Sequence, residues 1–195
     1  MVTGDVIDAI KMALERMDNK YCTLSQIDYS RVYNPIREKV AEEKYLERPF
    51  AYEFYHQLRK LMDGCDVNLG GPIIQAEVDK KYQHCFANGK IPDFIIHVPD
   101  APRQNLAVIE FKLATNLDEP YGIEHDLEKL VEFKTNEHLK YDYAIEVIIG
   151  SKNSLENAKE RIRQLSKPDG EEIIIIEFNT NSWRANESRI IFMKN

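Results

Sequence analysis

The chain lacks most of the features that announce a function directly. It has three cysteines, Cys22, Cys65 and Cys85, widely spaced and without a CxxC pair. A disulfide framework or a zinc ribbon is therefore not expected, and a reducing cytoplasmic compartment is the simplest expectation. The longest apolar run, Ile173-Ile174-Ile175-Ile176, falls far short of the roughly 20 residues that cross a bilayer. The opening Met1-Val-Thr-Gly-Asp5 has no basic-then-apolar leader pattern, so no membrane partner is expected. There is no glycine-rich phosphate loop, internal repeat or low-complexity segment. His56, His84, His97, His125 and His138 form no HxH or HExxH, which argues against histidine-held metal. No serine or cysteine has a recognisable catalytic partner.

Basic charge is also short. Lys and Arg number 26 against 33 Asp and Glu, a net charge of −7, which argues against a large sequence-independent grip on DNA. Nucleic acid is not thereby excluded, because a metal site concentrates acids and a bound cation reverses their sign locally. A chain of 195 residues can bury one good core. The expected division is an N-terminal helical segment, 1–46, packed on one domain, 47–195.

Hydrophobic period gives the order of elements. Val6, Ile7, Ile10, Ala13, Leu14 and Met17 recur at helical spacing over Asp5 to Met17, and Asp18-Asn19-Lys20 breaks the pattern. A charged helix is expected from Ile36 to Tyr45. An amphipathic one follows from Phe50 to Met62, with Gly64 as its stop. After Gly70-Gly71-Pro72 the period becomes β-like. Strands are expected at Ile73–Asp79, Ile91–Val98 and Leu106–Leu113, with Asn88-Gly89 and Pro99–Asn105 as turns. A helix over Tyr121–His138, a strand over Tyr141–Ile149 and a helix over Ser154–Leu165 come next. Two last strands, Glu172–Phe178 and Arg189–Met193, complete the order. Helices followed by β-β-β-α-β-α-β-β predict an α/β fold, a mixed central sheet flanked by helices.

Glu110-Phe111-Lys112 is the most informative triplet. Glu-x-Lys alone carries little weight, since Glu42-x-Lys44 and Glu132-x-Lys134 also match, as do Asp18-x-Lys20 and Asp79-x-Lys81 in the Asp form. Context separates them. Glu42 and Glu132 fall in helical patterns, where residues two apart point about 200° apart. On a strand, residues i and i+2 share a face, so Glu110 and Lys112 project together. Asp79-x-Lys81 sits at a strand end and is the weaker competitor. Pro-Asp occurs at Pro92-Asp93, Pro99-Asp100 and Pro168-Asp169. A hairpin centred on residues 99–105 places Asp93 opposite residues 110–112 and leaves Asp100 at the turn, roughly 20 Å or more from Lys112. Two carboxylates and an ammonium thus meet at one end of a hairpin, which suits a divalent-metal phosphodiester hydrolase. The competing reading is a surface ion-pair set.

Ile91-Pro-Asp93 and Ile109-Glu-Phe-Lys112 resemble the signature of the PD-(D/E)xK nuclease superfamily, the restriction-endonuclease-like fold. The order helix, strand, motif hairpin, helix, strand is similar over roughly Phe50 to Ile149. Asp126-Leu-Glu-Lys-Leu130, on the helix after the motif, is similar to a feature of small restriction-like members. The resemblance implies that Asp93 and Glu110 hold Mg²⁺, with Mn²⁺ as a substitute, and that the Phe111 carbonyl is a further ligand. It implies that Lys112 orients or deprotonates the attacking water or stabilises developing charge. It also implies a glutamate reaching the metal from the helix before the sheet. Glu53 fits that place, three residues after Phe50 and near the edge of the buried face, with Glu77 as competitor. Lys129 would reach a phosphate or a site carboxylate, or pair structurally with Asp126.

The expected function is accordingly a Mg²⁺-dependent endonuclease acting on DNA. The alternative is a catalytically silent nuclease fold used to bind nucleic acid or protein. A metal-dependent hydrolase of another substrate is the weaker third reading. Homodimerisation and a protein partner both stay open. Lys80-Lys81, Lys90 and Arg103 surround the hairpin in sequence and form either a basic rim or solvated charge. Tyr52, Tyr55, Tyr82 and Tyr121 either stack on bases or pack the core and its rim.

Overall fold

The computed structural model describes residues 2–3, 5–25, 43–78, 90–101, 104–118, 122–166 and 169–193. Strand β1, Val2–Thr3, leads into helix α1, Val6–Glu15. The Asp5 carboxylate caps this helix by accepting the Ile7 N–H at 3.0 Å, satisfying one of the free donors of the first turn. A single turn, α2 (Asn19–Cys22), occupies the expected break, capped by Asp18. Strands β2 (Thr23–Ser25) and β3 (Glu43–Tyr45) then pair antiparallel. The helix expected over 36–45 is corrected at its end, where residues 43–45 are strand; 36–42 lie outside the described residues. Local charge and spacing are helix-compatible there, but cross-strand pairing overrides them.

Helix α3 runs from Glu47 to Asp63, three residues earlier than its apolar pattern predicts. Pro49 falls inside the first turn, where its missing N–H costs no helical bond. Its apolar side is Phe50, Phe54, Leu58 and Leu61, all fully or almost fully buried. The two-residue β4, Val67–Asn68, pairs parallel with β1.

The main sheet follows: β5 (Ile73–Ala76), β6 (Phe94–His97), β7 (Asn105–Leu113), β8 (Tyr143–Gly150), β9 (Glu171–Asn179) and β10 (Arg184–Phe192). Helices α4 (Ile123–Thr135) and α5 (Lys152–Leu165) make the two crossovers. The spatial order is β10-β9-β8-β7-β6-β5. The β7–β8 and β8–β9 pairs are parallel, while the hairpins β5–β6, β6–β7 and β9–β10 are antiparallel. The mixed sheet flanked by helices is thus as expected. Strand β10 starts five residues earlier than expected, because its first half (Arg184, Asn186, Glu187, Ser188) is largely exposed and has no apolar alternation to read.

Two cores lie on the two sheet faces. α1 and α3 cover one, with Ala107, Ile109, Phe111 and Leu113 of β7. The N-terminal helix shares this core and is tied to β10 through Arg184 to Glu15 at 2.9 Å and the Trp183 indole N–H to the Met17 carbonyl at 2.9 Å. α4 and α5 cover the other face, with Ile95, Val108, Ile148 and Ile175. Among the described residues no helix is long and apolar enough to cross a membrane.

Candidate active site

Pro92 has no N–H to give a sheet ladder, and β6 begins two residues later at Phe94. Asp93 is the last residue before the strand. Its carbonyl still accepts the Glu77 N–H at 2.9 Å, while its side chain reaches across to β7. There Asp93 Oδ2 accepts the Phe111 N–H at 2.8 Å. Phe94 is paired with Ile109, so Asp93 stands across from Glu110, as the hairpin predicts. Strand geometry that aims the Phe111 N–H at Asp93 aims its carbonyl to the same side.

Strand parity then separates neighbours. Phe111 faces α3, where its ring packs against Phe50, Phe54 and Phe94 at centroid distances of 6.1, 5.0 and 5.6 Å. Glu110 and Lys112 project to the opposite face, under α4. Asp126 and Lys129 are three residues apart on that helix and hence side by side. Lys112 Nζ lies 2.8 Å from Asp126 Oδ2, and Lys129 Nζ lies 2.7 Å from Glu110 Oε2 and 3.5 Å from Asp126 Oδ1. Four charges from β7 and α4 therefore alternate in sign.

Two further carboxylates join them. Glu146 on β8 is paired in register with Glu110. Asp93, just before β6, and Glu110 and Glu146, on β7 and β8, thus form a transverse row across neighbouring chain segments of the sheet, about 4.8 Å apart from one to the next. Glu146 is completely buried, and neither of its oxygens has a hydrogen-bond partner among the described residues. Glu47, the first residue of α3, accepts the Leu113 N–H at 3.3 Å and acts electrostatically on Lys112, Asp93 and Asp126.

Burial, then the Asp93 charge, push Glu110 well above the usual carboxylate range against the opposing pull of Lys129. Burial, then Asp126 and Glu110, do the same to Glu146. Burial raises Asp93 and Glu47, less strongly. Burial pulls Lys112 and Lys129 down, but their carboxylate partners outweigh it and leave both above the ordinary lysine value. Both lysines are thus ammonium ions at neutral pH. Five carboxyl groups, Glu47, Asp93, Glu110, Asp126 and Glu146, thus face two ammonium groups, Lys112 and Lys129.

No protein-family model, curated protein or solved structure matches this chain.

The donor set can nevertheless be judged on its own chemistry. Glu110 Oε1 is buried and bonded to nothing among the described residues, with the Asp93 carboxylate beside it. A hard cation would supply the partner that Glu110 Oε1 lacks. Among the described residues no three His, Cys, Asp or Glu side chains converge as a protein-only cage would. Mg²⁺ keeps several waters and takes one or two carboxylates, so Asp93 and Glu110, with the Phe111 carbonyl, fit it.

Other expected members lie elsewhere. Glu53 is on α3, whose apolar side packs on the face opposite Glu110. Its Oε1 accepts from Gln57 Nε2 at 2.7 Å and from the Asp18 N–H at 3.3 Å. Glu47, six residues earlier and outside the helix expected from the sequence, is the α3 glutamate whose charge acts on Lys112, Asp93 and Asp126. Pro49 conceals this first turn of the longer helix. Glu77 is exposed, just past β5, in a left-handed conformation at φ 47°. Lys90 pairs with Glu132, while Lys80, Lys81, Arg103, Tyr82 and Tyr121 lie outside the described residues. Tyr55 stacks on Phe94 at 5.8 Å, Tyr52 is exposed, and His97 Nε2 meets Gln75 Oε1 at 2.6 Å. Sequence reasoning missed Glu146. Its signal was available: one acid at the α4-facing parity of the apolar run Tyr143-Ala-Ile-Glu-Val-Ile-Ile149.

Proposed function

We propose that this chain is a Mg²⁺-dependent nuclease of the PD-(D/E)xK type, hydrolysing phosphodiester bonds in DNA. The observation that carries the reading is the pairing of Asp93 with Glu110 across β6 and β7, with Lys112 two residues on along the same face. The order α3-β5-β6-β7-α4-β8 supports a restriction-endonuclease-like core.

Asp93, held by the Phe111 N–H, and Glu110 would hold Mg²⁺, with the Phe111 carbonyl as a further ligand. Mg²⁺, when bound, lowers the pKa of a water and offsets charge on a phosphoryl oxygen. Lys112 lies beside them, paired with Asp126 at 2.8 Å, where it would orient or deprotonate the attacking water or stabilise developing negative charge. The test is cleavage of plasmid and linear DNA with Mg²⁺ or Mn²⁺. Wild type cleaves and Lys112→Ala does not; equal cleavage by the two sinks the reading.

One observation favours a second reading, a silent nuclease fold used for binding. Lys112 is already paired with Asp126 and Glu110 with Lys129, so these charges are partly satisfied without any cation. Mn²⁺ titration by calorimetry discriminates: uptake that Asp93→Ala removes supports the nuclease, and no uptake supports the silent fold.

A further inference from the structure

We propose that Lys129 is a resident cation of this site, which holds Glu110 in place and yields it to a divalent cation by moving its own charge onto Asp126 and Glu146. The inference rests on the reading of Asp93 and Glu110 as a Mg²⁺ pair.

Two acceptors contact this ammonium unequally, and a third carboxylate stands nearby on β8. Glu110 Oε2 is in full contact at 2.7 Å, and Asp126 Oδ1 is stretched at 3.5 Å. Glu146 stands in register with Glu110 on the next strand, without a hydrogen bond at either oxygen among the described residues. A lysine ammonium has three donors on a flexible stem, so it can exchange among acceptors with little backbone movement. The α4 turn that carries Asp126 and Lys129 together keeps one of those acceptors beside it throughout. A buried carboxylate with no partner is costly. Glu146 has this cost explained if it gains Lys129 when Glu110 is taken.

A purely structural Lys129 predicts the opposite sign. Removing a structural counter-ion would let Glu110 move and weaken cation binding. Removing a competitor strengthens it. Mn²⁺ affinity measured by calorimetry on the full chain separates them. Lys129→Met should bind Mn²⁺ about tenfold more tightly or better. Glu146→Gln should weaken binding severalfold in the wild-type background and have no effect beside Lys129→Met, the signature of coupling in a double-mutant cycle. Lys129→Gln, which keeps a donor to Glu110 without the charge, should follow Lys129→Met and replaces it if that variant does not fold. In wild-type protein, saturating Mg²⁺ should shift the ¹⁵Nζ resonance of Lys129.

Mn²⁺ binding by Lys129→Met or Lys129→Gln that is equal to or weaker than wild type overturns the proposal. So does an unmoved Lys129 resonance, or no uptake by any of the proteins. Cleavage that requires Lys112, without tighter binding in the Lys129 variants, defeats this inference alone. Tighter binding without DNA cleavage defeats the nuclease reading alone.

Discussion

Strand β7 carries two different interiors on its two sides. Toward α3 it presents Ala107, Ile109, Phe111 and Leu113 to an aromatic core. Toward α4 it presents Val108 and then, in the same strand, Glu110 and Lys112 to a buried set of charges. The two sides are equally inaccessible at their centre: Phe111 is 1% exposed and Glu110 2%. Burial therefore does not distinguish them; what burial does to each group does. It stabilises an apolar ring and destabilises an ion. A fold keeps such a charged patch only where partners or a ligand compensate it.

The largest expected effect comes from breaking the apolar side. Phe111→Ala removes a ring in contact with Phe50, Phe54 and Phe94 and should cost about 3–5 kcal/mol. The midpoint and slope of urea unfolding measure it. A loss below about 1 kcal/mol would mean the α3 side can collapse around the gap and is not the rigid half of the comparison.

Activity should divide the other way. Lys112→Ala should lower cleavage by roughly 10²–10³-fold, the usual cost of losing one group that stabilises transition-state charge. Glu53→Gln should leave it unchanged, because Glu53 serves Asp18 and Gln57 on the α3 side. Cleavage rates at saturating Mg²⁺ test both. A Glu53→Gln variant as impaired as Lys112→Ala would show that the two faces share the site after all.

How much of this was legible in advance follows the same division. Period-two alternation placed Glu110 and Lys112 on one face and Phe111 on the other, and hairpin symmetry brought Asp93 to them, because both are local rules. The mixed sheet was legible from the order of its elements. Glu146 was not singled out, because its partner in space comes through a parallel crossover that no local rule registers. Glu47 was hidden by Pro49, and the strand at residues 43–45 by a charged, helix-like composition. Short pairs such as β1 with β4 carry too few residues to show any period.

The charged side should gain from losing a charge. Glu146→Met replaces a buried, unbonded carboxylate with an apolar chain of similar length and should stabilise the metal-free protein by about 1–4 kcal/mol at neutral pH. The sign has a pH signature. Glu146 titrates well above its ordinary value of 4.5 when folded, so its favourable contribution is complete below the unfolded value and is lost as pH rises through the folded one. The gain from Glu146→Met should therefore be smallest near pH 4.5 and grow with pH. A constant gain across that window would mean that folding does not raise the Glu146 pKa.

The smallest effects should be equal on the two sides. Asp5 caps α1 on one face through the Ile7 N–H at 3.0 Å, and Ser151 caps α5 on the other through the Ser154 N–H at 3.2 Å. Each supplies one acceptor to one free N–H of a first turn, and neither touches the charges at Glu110. Asp5→Ala and Ser151→Ala should each cost about 1 kcal/mol, and their double variant should cost the sum, since distant sites add. Thermal unfolding measures all three. Matched costs would place the asymmetry of the molecule in the side chains that β7 sends to each face. A much larger loss on the α5 side would place it in the crossover helices instead, and Glu146 would then be a symptom of loose packing rather than a member of the site.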